Sequence, residues 1–369
     1  MKVLVLGGAG FIGSVLCPYL RERGDEVNVF DAFLFEESGM PDGSYDGFVR
    51  GDIRHLRDLL LCIEEADAVV NLAAISNDPA ADLLPELTWE VNYKANETLA
   101  DLCQATGKRV VYASSCSVYG FSEDDTFDER SKLKPITLYA RTKMLSERRY
   151  LHEDVNAVVL RFATVYGYSH KVRFDLVVNT MIGNGFFEGK IVVNGGGQWR
   201  PLIHVRDVAK SIYLALHAED PKHRVYNVGS NEQNYQIGAL GALIAGHMPG
   251  VELVNRGYGP DKRSYKVDFG LISEELGFET EHTVAEAVAE FCEAFDKGEV
   301  SSMHEDVYYR VKYLKNLYES IYVDKEPAVG VAALPHHRFF GNGENGGYER
   351  SAQLETVSTY VMSAMSNRR

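Results

Sequence analysis

Apolar residues in the first 165 positions fall into short runs that alternate with longer helix-like stretches. The runs at 2–6, 26–30, 47–49, 68–72, 109–113 and 157–162 carry Val3, Val5, Val69, Val70, Val110 and Val111, the unbroken apolar character of strands covered on both faces. Strands separated by helical stretches imply βαβ units and therefore a parallel sheet with helices on either side. The pattern predicts an α/β, doubly wound fold over residues 1–167. Beyond Gly167 it loosens into a glycine-rich turn at 194–197, a strand-like run Val225–Val228 and a helical segment at 284–295. Residues 168–325 are read as a smaller α/β cap, with the run at 225–228 returning a strand to the main sheet. From Glu326 onward come Pro327, Pro335, His336, His337 and the run Gly341-Asn342-Gly343-Glu344-Asn345-Gly346-Gly347, a composition that packs poorly, so residues 326–369 are expected to form a loose tail.

Composition narrows the function classes. A chain of 369 residues that is 45% hydrophobic can bury a sizeable core. Its net charge of -15 opposes a nucleic-acid partner, because binding a phosphate backbone rests on Lys and Arg neutralising phosphates. Cys17, Cys62, Cys103, Cys116 and Cys292 form no CxxC pair and no zinc-spaced cluster, which suits reduced thiols. His336-His337 lacks a third ligand at regular spacing, so no metal is expected. The apolar start, MKVLVLGGAGFIG, is broken by glycines too early for a signal peptide, and no stretch approaches the roughly 18 apolar residues of a membrane span. A cytoplasmic protein without a membrane partner is the expectation.

Gly7-Gly8-Ala9-Gly10-Phe11-Ile12-Gly13 follows the first strand directly and runs into a helical stretch. Glycine at 7 permits a tight turn, Gly10 lets backbone approach a pyrophosphate, and Gly13 lets the helix pack close to the strand while its free N–H groups face the anion. The second strand leads into Asp31, where a carboxylate accepts hydrogen bonds from ribose hydroxyls and repels a 2′-phosphate. NAD is therefore expected in preference to NADP.

Tyr139 and Lys143 stand one turn apart on one face of a helix, the spacing at which an ammonium stabilises a phenolate and makes tyrosine a usable base. The spacing recurs at Tyr258/Lys262 and Tyr308/Lys312, so position decides. Pro260 interrupts the second pair, and the third lies far from the dinucleotide half. The first follows a predicted core strand ending in Ser114-Ser115-Cys116-Ser117, and ligands of open α/β sheets bind beyond the carboxyl ends of strands.

These residues resemble the extended short-chain dehydrogenase/reductases, particularly the nucleotide-sugar epimerases and dehydratases. The resemblance spans about residues 1–300: GGAGFIG at 7–13, Asp31, Gly51-Asp52-Ile53, Asn71-Leu72-Ala73-Ala74, SSCSVYG at 114–120, YARTK at 139–143, RFATVYG at 161–167 and WRPLIHVRDVA at 199–209. It implies a Rossmann fold and an NAD site made by Gly7, Gly10, Phe11, Ile12, Gly13, Asp31, Asp52, Ile53, Ala73, Ala74, Tyr139 and Lys143. It implies a catalytic set of Ser115, Tyr139 and Lys143, with Lys143 also holding the nicotinamide ribose. Substrate residues would be Ser76, Ser115, Thr164, Asn179 and Arg200, with Arg263 or Arg256 near a second phosphate. The implied activity is epimerisation of a nucleotide-diphosphate sugar by transient oxidation at C4, in a homodimer paired through helices near 91–105 and 139–151. Alternatives are a 4,6-dehydratase, a 4-keto-sugar reductase and, more remotely, a non-catalytic NAD-binding protein. Two departures bear on the choice. Dehydratases of the family usually carry Asp-Glu after the Ser/Thr, where this chain has Cys116-Ser117, and Thr164 stands where many relatives have Asn.

Overall fold

The computed structural model describes residues 1–34, 40, 43–122, 126–257 and 264–322. Arg263, the Tyr258/Lys262 pair, His336, His337 and the rest of segment 326–369 lie outside the described residues.

Seven strands, β1 (Lys2–Leu6), β2 (Glu26–Asp31), β3 (Gly47–Arg50), β4 (Ala68–Asn71), β5 (Arg109–Ser115), β6 (Ala157–Phe162) and β7 (Val225–Val228), form one sheet in the order β7-β6-β5-β4-β1-β2-β3. Every neighbouring pair is parallel. Alternate residues of one strand enter different cores: Val3 and Val5 pack with Leu16, Val111 and Ile212, while Leu4 and Leu6 pack with Leu59, Leu99 and Val159. Burial on both faces is the reason these strands read as continuous apolar runs. β5 runs two residues further than the hydrophobic pattern suggests, because Ser114 and Ser115 continue the ladder opposite Arg161 and Phe162 of β6. Hydroxyl side chains hide a strand end from a reading based on hydrophobicity.

Residues beyond Gly167 supply β7 and a third core around Phe174, Ile182, Ile191, Val288 and Phe291. The strand Thr164–Tyr166, just before Gly167, joins Trp199–His204 and Asn234–Gln236 of that part in one short sheet, and Lys190–Asn194 pairs with Glu252–Arg256 in another. The helix Val284–Asp296 opens on a reciprocal capping box between Thr283 and Glu286. The last helix among the described residues, Arg310–Tyr322, packs Leu314 and Val311 against Ile75, Ala80 and Leu87, beside the segment that follows β4. No helix among the described residues is long and apolar enough to cross a membrane.

The helix Leu138–Tyr150 is mostly polar in sequence, and a buried ion pair anchors it. Glu147 and Arg161 of β6 meet at 2.7 Å, with side chains 1% and 5% exposed. Ser114 of β5 donates to the same carboxylate, and Arg161 donates at 2.9 Å to the hydroxyl of Tyr119, which donates in turn to Asn227 of β7. Removing one partner strands the other charge in a dry interior. Glu147→Ala should therefore lower the unfolding free energy by about 3–5 kcal/mol in urea titration. A loss below about 1 kcal/mol would show the pair to be solvated rather than structural.

Candidate active site

The strand order reverses at β1, which has β2 on one side and β4 on the other, and the connections leaving the carboxyl ends diverge there to open a crevice. The crevice is a cavity of about 2490 Å³ lined from both halves of the chain. Pockets for one drug-sized ligand run to roughly 300–1,000 Å³, so this one has room for two nucleotide-sized molecules.

At its floor, Gly7 adopts φ +78°, and a Cβ there would stand 2.7 Å from the Ala73 amide nitrogen. A Cβ on Gly13 would meet the Gly8 carbonyl oxygen at 2.2 Å. Neither position tolerates a side chain, and the result is a backbone cradle at the start of the helix Gly13–Arg21. Gly7, Gly10, Phe11, Ile12 and Gly13 all line the cavity, as do Asp52, Ile53, Ala73 and Ala74. Asp31 closes the end of β2, where its carboxylate accepts the Ala9 N–H at 3.0 Å and the Phe33 N–H at 2.8 Å. Burial raises its pKa, and those amide bonds with the nearby Lys171 charge oppose the rise. Asp52 is instead held low against burial by its hydrogen bonds from Arg54. Backbone N–H groups free of side-chain cover and a carboxylate at the end of the next strand are a donor and acceptor set that suits a dinucleotide.

Ser115, Tyr139 and Lys143 converge on the same cavity from the end of β5 and the helix that follows. Thr137 caps that helix, accepting the Ala140 N–H at 3.2 Å and donating to Asp78 at 2.6 Å. The Ser115 hydroxyl is among the neighbours that act on the Tyr139 phenol. Lys143 departs from the simple expectation of an ammonium poised on the phenolate. It donates at 2.7 Å to the Ala113 carbonyl, and its nitrogen lies 5.7 Å from the centre of the Tyr139 ring. Burial pushes the Tyr139 phenol up to about 12, Asp78 adds to the rise, and Arg173 and the Ser115 hydroxyl oppose it. Burial also brings Lys143 down to about 8, with Glu147 one turn away holding it up. Helical spacing predicts a shared face but not the carbonyl that claims the ammonium.

Of the substrate candidates, Ser76, Thr164 and Arg200 line the cavity. Ser76 accepts a hydrogen bond at 3.0 Å from Arg173, and Arg200 donates to the Trp199 carbonyl at 2.8 Å beside the Tyr265 ring. Asn179 does not reach the cavity. It is fully buried, and its amide holds the Gly167 N–H at 3.0 Å and the Arg173 carbonyl at 3.1 Å, so it shapes the loop beneath the site. Arg256 ends the strand Glu252–Arg256 and is not a lining residue of the cavity; neither Tyr308 nor Lys312 lines it, and Tyr308 instead packs on Phe174. Asp78, Arg173 and Arg310 do line it, although sequence patterning passed over them. Asn77-Asp78-Pro79 carried a signal, a capping residue before a first-turn proline; Asn77 does cap the helix Asp78–Leu83, at φ +94°. Away from the cavity, Asp207, Glu281 and His282 present ligand atoms within 4.8 Å of one another. The Asp207 carboxylate already accepts the N–H groups of 281 and 282 and faces the His282 ring, which accounts for that cluster without an ion.

Residues 3–229 match the model of the NAD dependent epimerase/dehydratase family. UDP-glucose 4-epimerase of Corynebacterium glutamicum is 27% identical over 80% of this chain and 95% of its own. ADP-L-glycero-D-manno-heptose-6-epimerase of Nitratidesulfovibrio vulgaris is 30% identical over 62% of this chain and 76% of its own. Among solved structures, MoeE5 in complex with UDP-glucuronic acid and NAD superposes with a TM-score of 0.70 at 28% identity, covering 80% of this chain and 99% of that one.

The Lys143 environment makes a testable pH signature. The unfolded chain binds this proton up to its ordinary value of 10.5, the fold only up to about 8, so between those values the unfolded chain holds the extra proton and stability rises with pH. Lys143→Met removes the effect. Its advantage over wild type in unfolding free energy, measured on cofactor-free protein, should shrink by about 2 kcal/mol between pH 7.5 and 9.5. A gap that does not change with pH would mean the ammonium is solvated.

Proposed function

Because the chain belongs to the NAD-dependent epimerase/dehydratase family, we propose that it is an epimerase of a nucleotide-diphosphate sugar, which oxidises the sugar transiently at C4 and returns the same hydride to the opposite face. The observation that carries this reading is the meeting of the Ser115–Tyr139 pair with the glycine cradle and Asp31 in one cavity. Bound NAD supplies the hydride acceptor. Tyr139 takes the proton from the sugar hydroxyl, Ser115 donates a hydrogen bond to the same oxygen, and Arg173 favours the phenolate by its charge. Lys143, tied to the Ala113 carbonyl, sets the wall on which the nicotinamide ribose rests. Gly7, Gly10, Phe11, Ile12, Gly13, Asp31, Asp52, Ile53, Ala73 and Ala74 hold the rest of the dinucleotide. Ser76, Thr164 and Arg200 face the nucleotide sugar, with Arg200 as its diphosphate contact.

Dehydration needs an acid and a base beside the serine, and the residues after Ser115 do not serve. Cys116 is buried, donates to the Arg161 carbonyl, and has its thiol pushed far up by desolvation. An NADPH-driven reductase is disfavoured by Asp31. A cytoplasmic homodimer is part of the proposal, with the helices Ala95–Thr106 and Leu138–Tyr150 forming the pairing face; within one chain Arg149 and Asp101 already tie them together.

The reading is tested with UDP- and ADP-sugars deuterated at the oxidised carbon. The epimerised product should retain its label, NADH absorbance at 340 nm should not accumulate, and Tyr139→Phe should lose about 10²–10⁴ in turnover. Steady NADH release, or a 6-deoxy-4-keto product with label at C6, would replace the epimerase by a dehydrogenase or a dehydratase.

A further inference from the structure

The helix Arg310–Tyr322 contributes to the cavity from a part of the chain that the family model does not reach. MoeE5 is covered to 99% of its length by only 80% of this chain, so about a fifth of the chain has no counterpart there. The helix is seated by Leu314 on Ile75 and Ala80, and its first backbone N–H donates to Asp175 at 3.3 Å. Its first side chain, Arg310, is 5% exposed and lines the cavity.

The Arg310 guanidinium donates to the Val307 carbonyl at 3.1 Å, and the charges of Arg173, Asp175, Tyr313 and Asp31 act on it, Asp31 standing at the end of β2 beside the glycine-rich turn. Arg310 thus faces the cavity that the glycine-rich turn lines, on the side of Asp31 rather than of Tyr139. The segment carrying Arg173 is fastened to that turn: Ser169 bonds Ser14 at 2.6 Å and donates to the Phe11 carbonyl at 3.1 Å. In a dinucleotide, the group between the adenosine ribose and the nicotinamide ribose is the pyrophosphate.

We propose that Arg310 binds the pyrophosphate of NAD, so that the cofactor is held between the glycine-rich backbone turn on one side and the C-terminal helix on the other. The proposal rests on the NAD site described above and adds a residue from outside the family's matched span. A guanidinium suits the task, since its planar fork can bond two phosphate oxygens at once. Burial and the neighbouring Arg173 bring Arg310 down to about 9, a strain that an arriving dianion relieves.

The test compares wild-type protein stripped of cofactor with Arg310→Met, which keeps an apolar stem, and with Arg310→Lys, which keeps a charge without the fork. Calorimetric titration uses NAD, ADP-ribose and a UDP-sugar. NAD and ADP-ribose should weaken together in Arg310→Met by about tenfold to a hundredfold, the worth of a charge-assisted hydrogen bond, while the UDP-sugar stays within about twofold. Arg310→Lys should fall between the two, and it answers the same question should the methionine variant not fold. Unchanged NAD affinity in the folded variants overturns the proposal, as does a larger loss for the UDP-sugar, which would move Arg310 to the substrate. Wild-type protein that binds no NAD would overturn the cofactor site itself and this inference with it.

Discussion

The ion pair between Glu147 and Arg161 is the constraint on which the site's geometry depends. Each ion loses several kcal/mol of hydration on burial, and mutual attraction offsets this only when the remaining donors and acceptors are also satisfied. Here they are, by Ser114, Tyr119 and, through Tyr119, Asn227. The network therefore ties one helix to β5, β6 and β7 at once. Two turns before Glu147 on that helix stands Tyr139, and one turn before it Lys143. Their positions relative to Ser115 follow from an anchor that touches neither reacting group. The anchor has an electrostatic role as well, because the Glu147 charge favours the protonated form of Lys143.

A second constraint, steric rather than electrostatic, governs the other half of the cavity. Just beyond the last paired residues of β1 and β4, Leu6 and Asn71, the backbone at Gly7 passes so close to Ala73 that no side chain fits there, and both residues line the crevice. Asn71 holds its far side, accepting the Ala73 N–H at 3.1 Å and donating to Asn96 at 2.7 Å, which fixes the loop leading to Ser76. The glycine-rich turn and the loop leading to Ser76 thus start from one adjacent pair of strand ends.

The parts of this design that were legible in the sequence are those imposed by local backbone geometry. Gly7 and Gly13 announce themselves because no other residue fits, and the βαβ alternation follows from strands buried on both faces. The order and spacing of Asp31, Ser115, Tyr139 and Lys143 could be read for the same reason, since each sits at a strand end or on a helix whose start is signalled. What escaped was decided by tertiary contacts. Arg173 and Arg310 lie 137 positions apart and meet only because the chain returns to the crevice. Asn179 has the right chemistry for a ligand, yet the fold spends its amide on the Gly167 loop. The expected lowering of the tyrosine by Lys143 failed in a similar way, because helical periodicity is silent about the Ala113 carbonyl.

A redox-neutral reaction places a demand on this architecture that a dehydrogenase escapes. If the hydride is to return to the sugar, the cofactor must not leave between the two half-reactions, whereas the nucleotide sugar must come and go at every turnover. The two ligands share one cavity, so they cannot be distinguished by a common door. They can be distinguished by what covers each of them. The glycine cradle, Asp31 and the anchored Leu138–Tyr150 helix belong to the rigid sheet, and the segment of Ser169 and Arg173 is fastened onto the cradle from above. The residues proposed for the substrate, Ser76, Thr164 and Arg200, come instead from a loop and from the short strands beyond the main sheet. On the proposed function, retention on one side and exchange on the other follow from which elements carry the contacts.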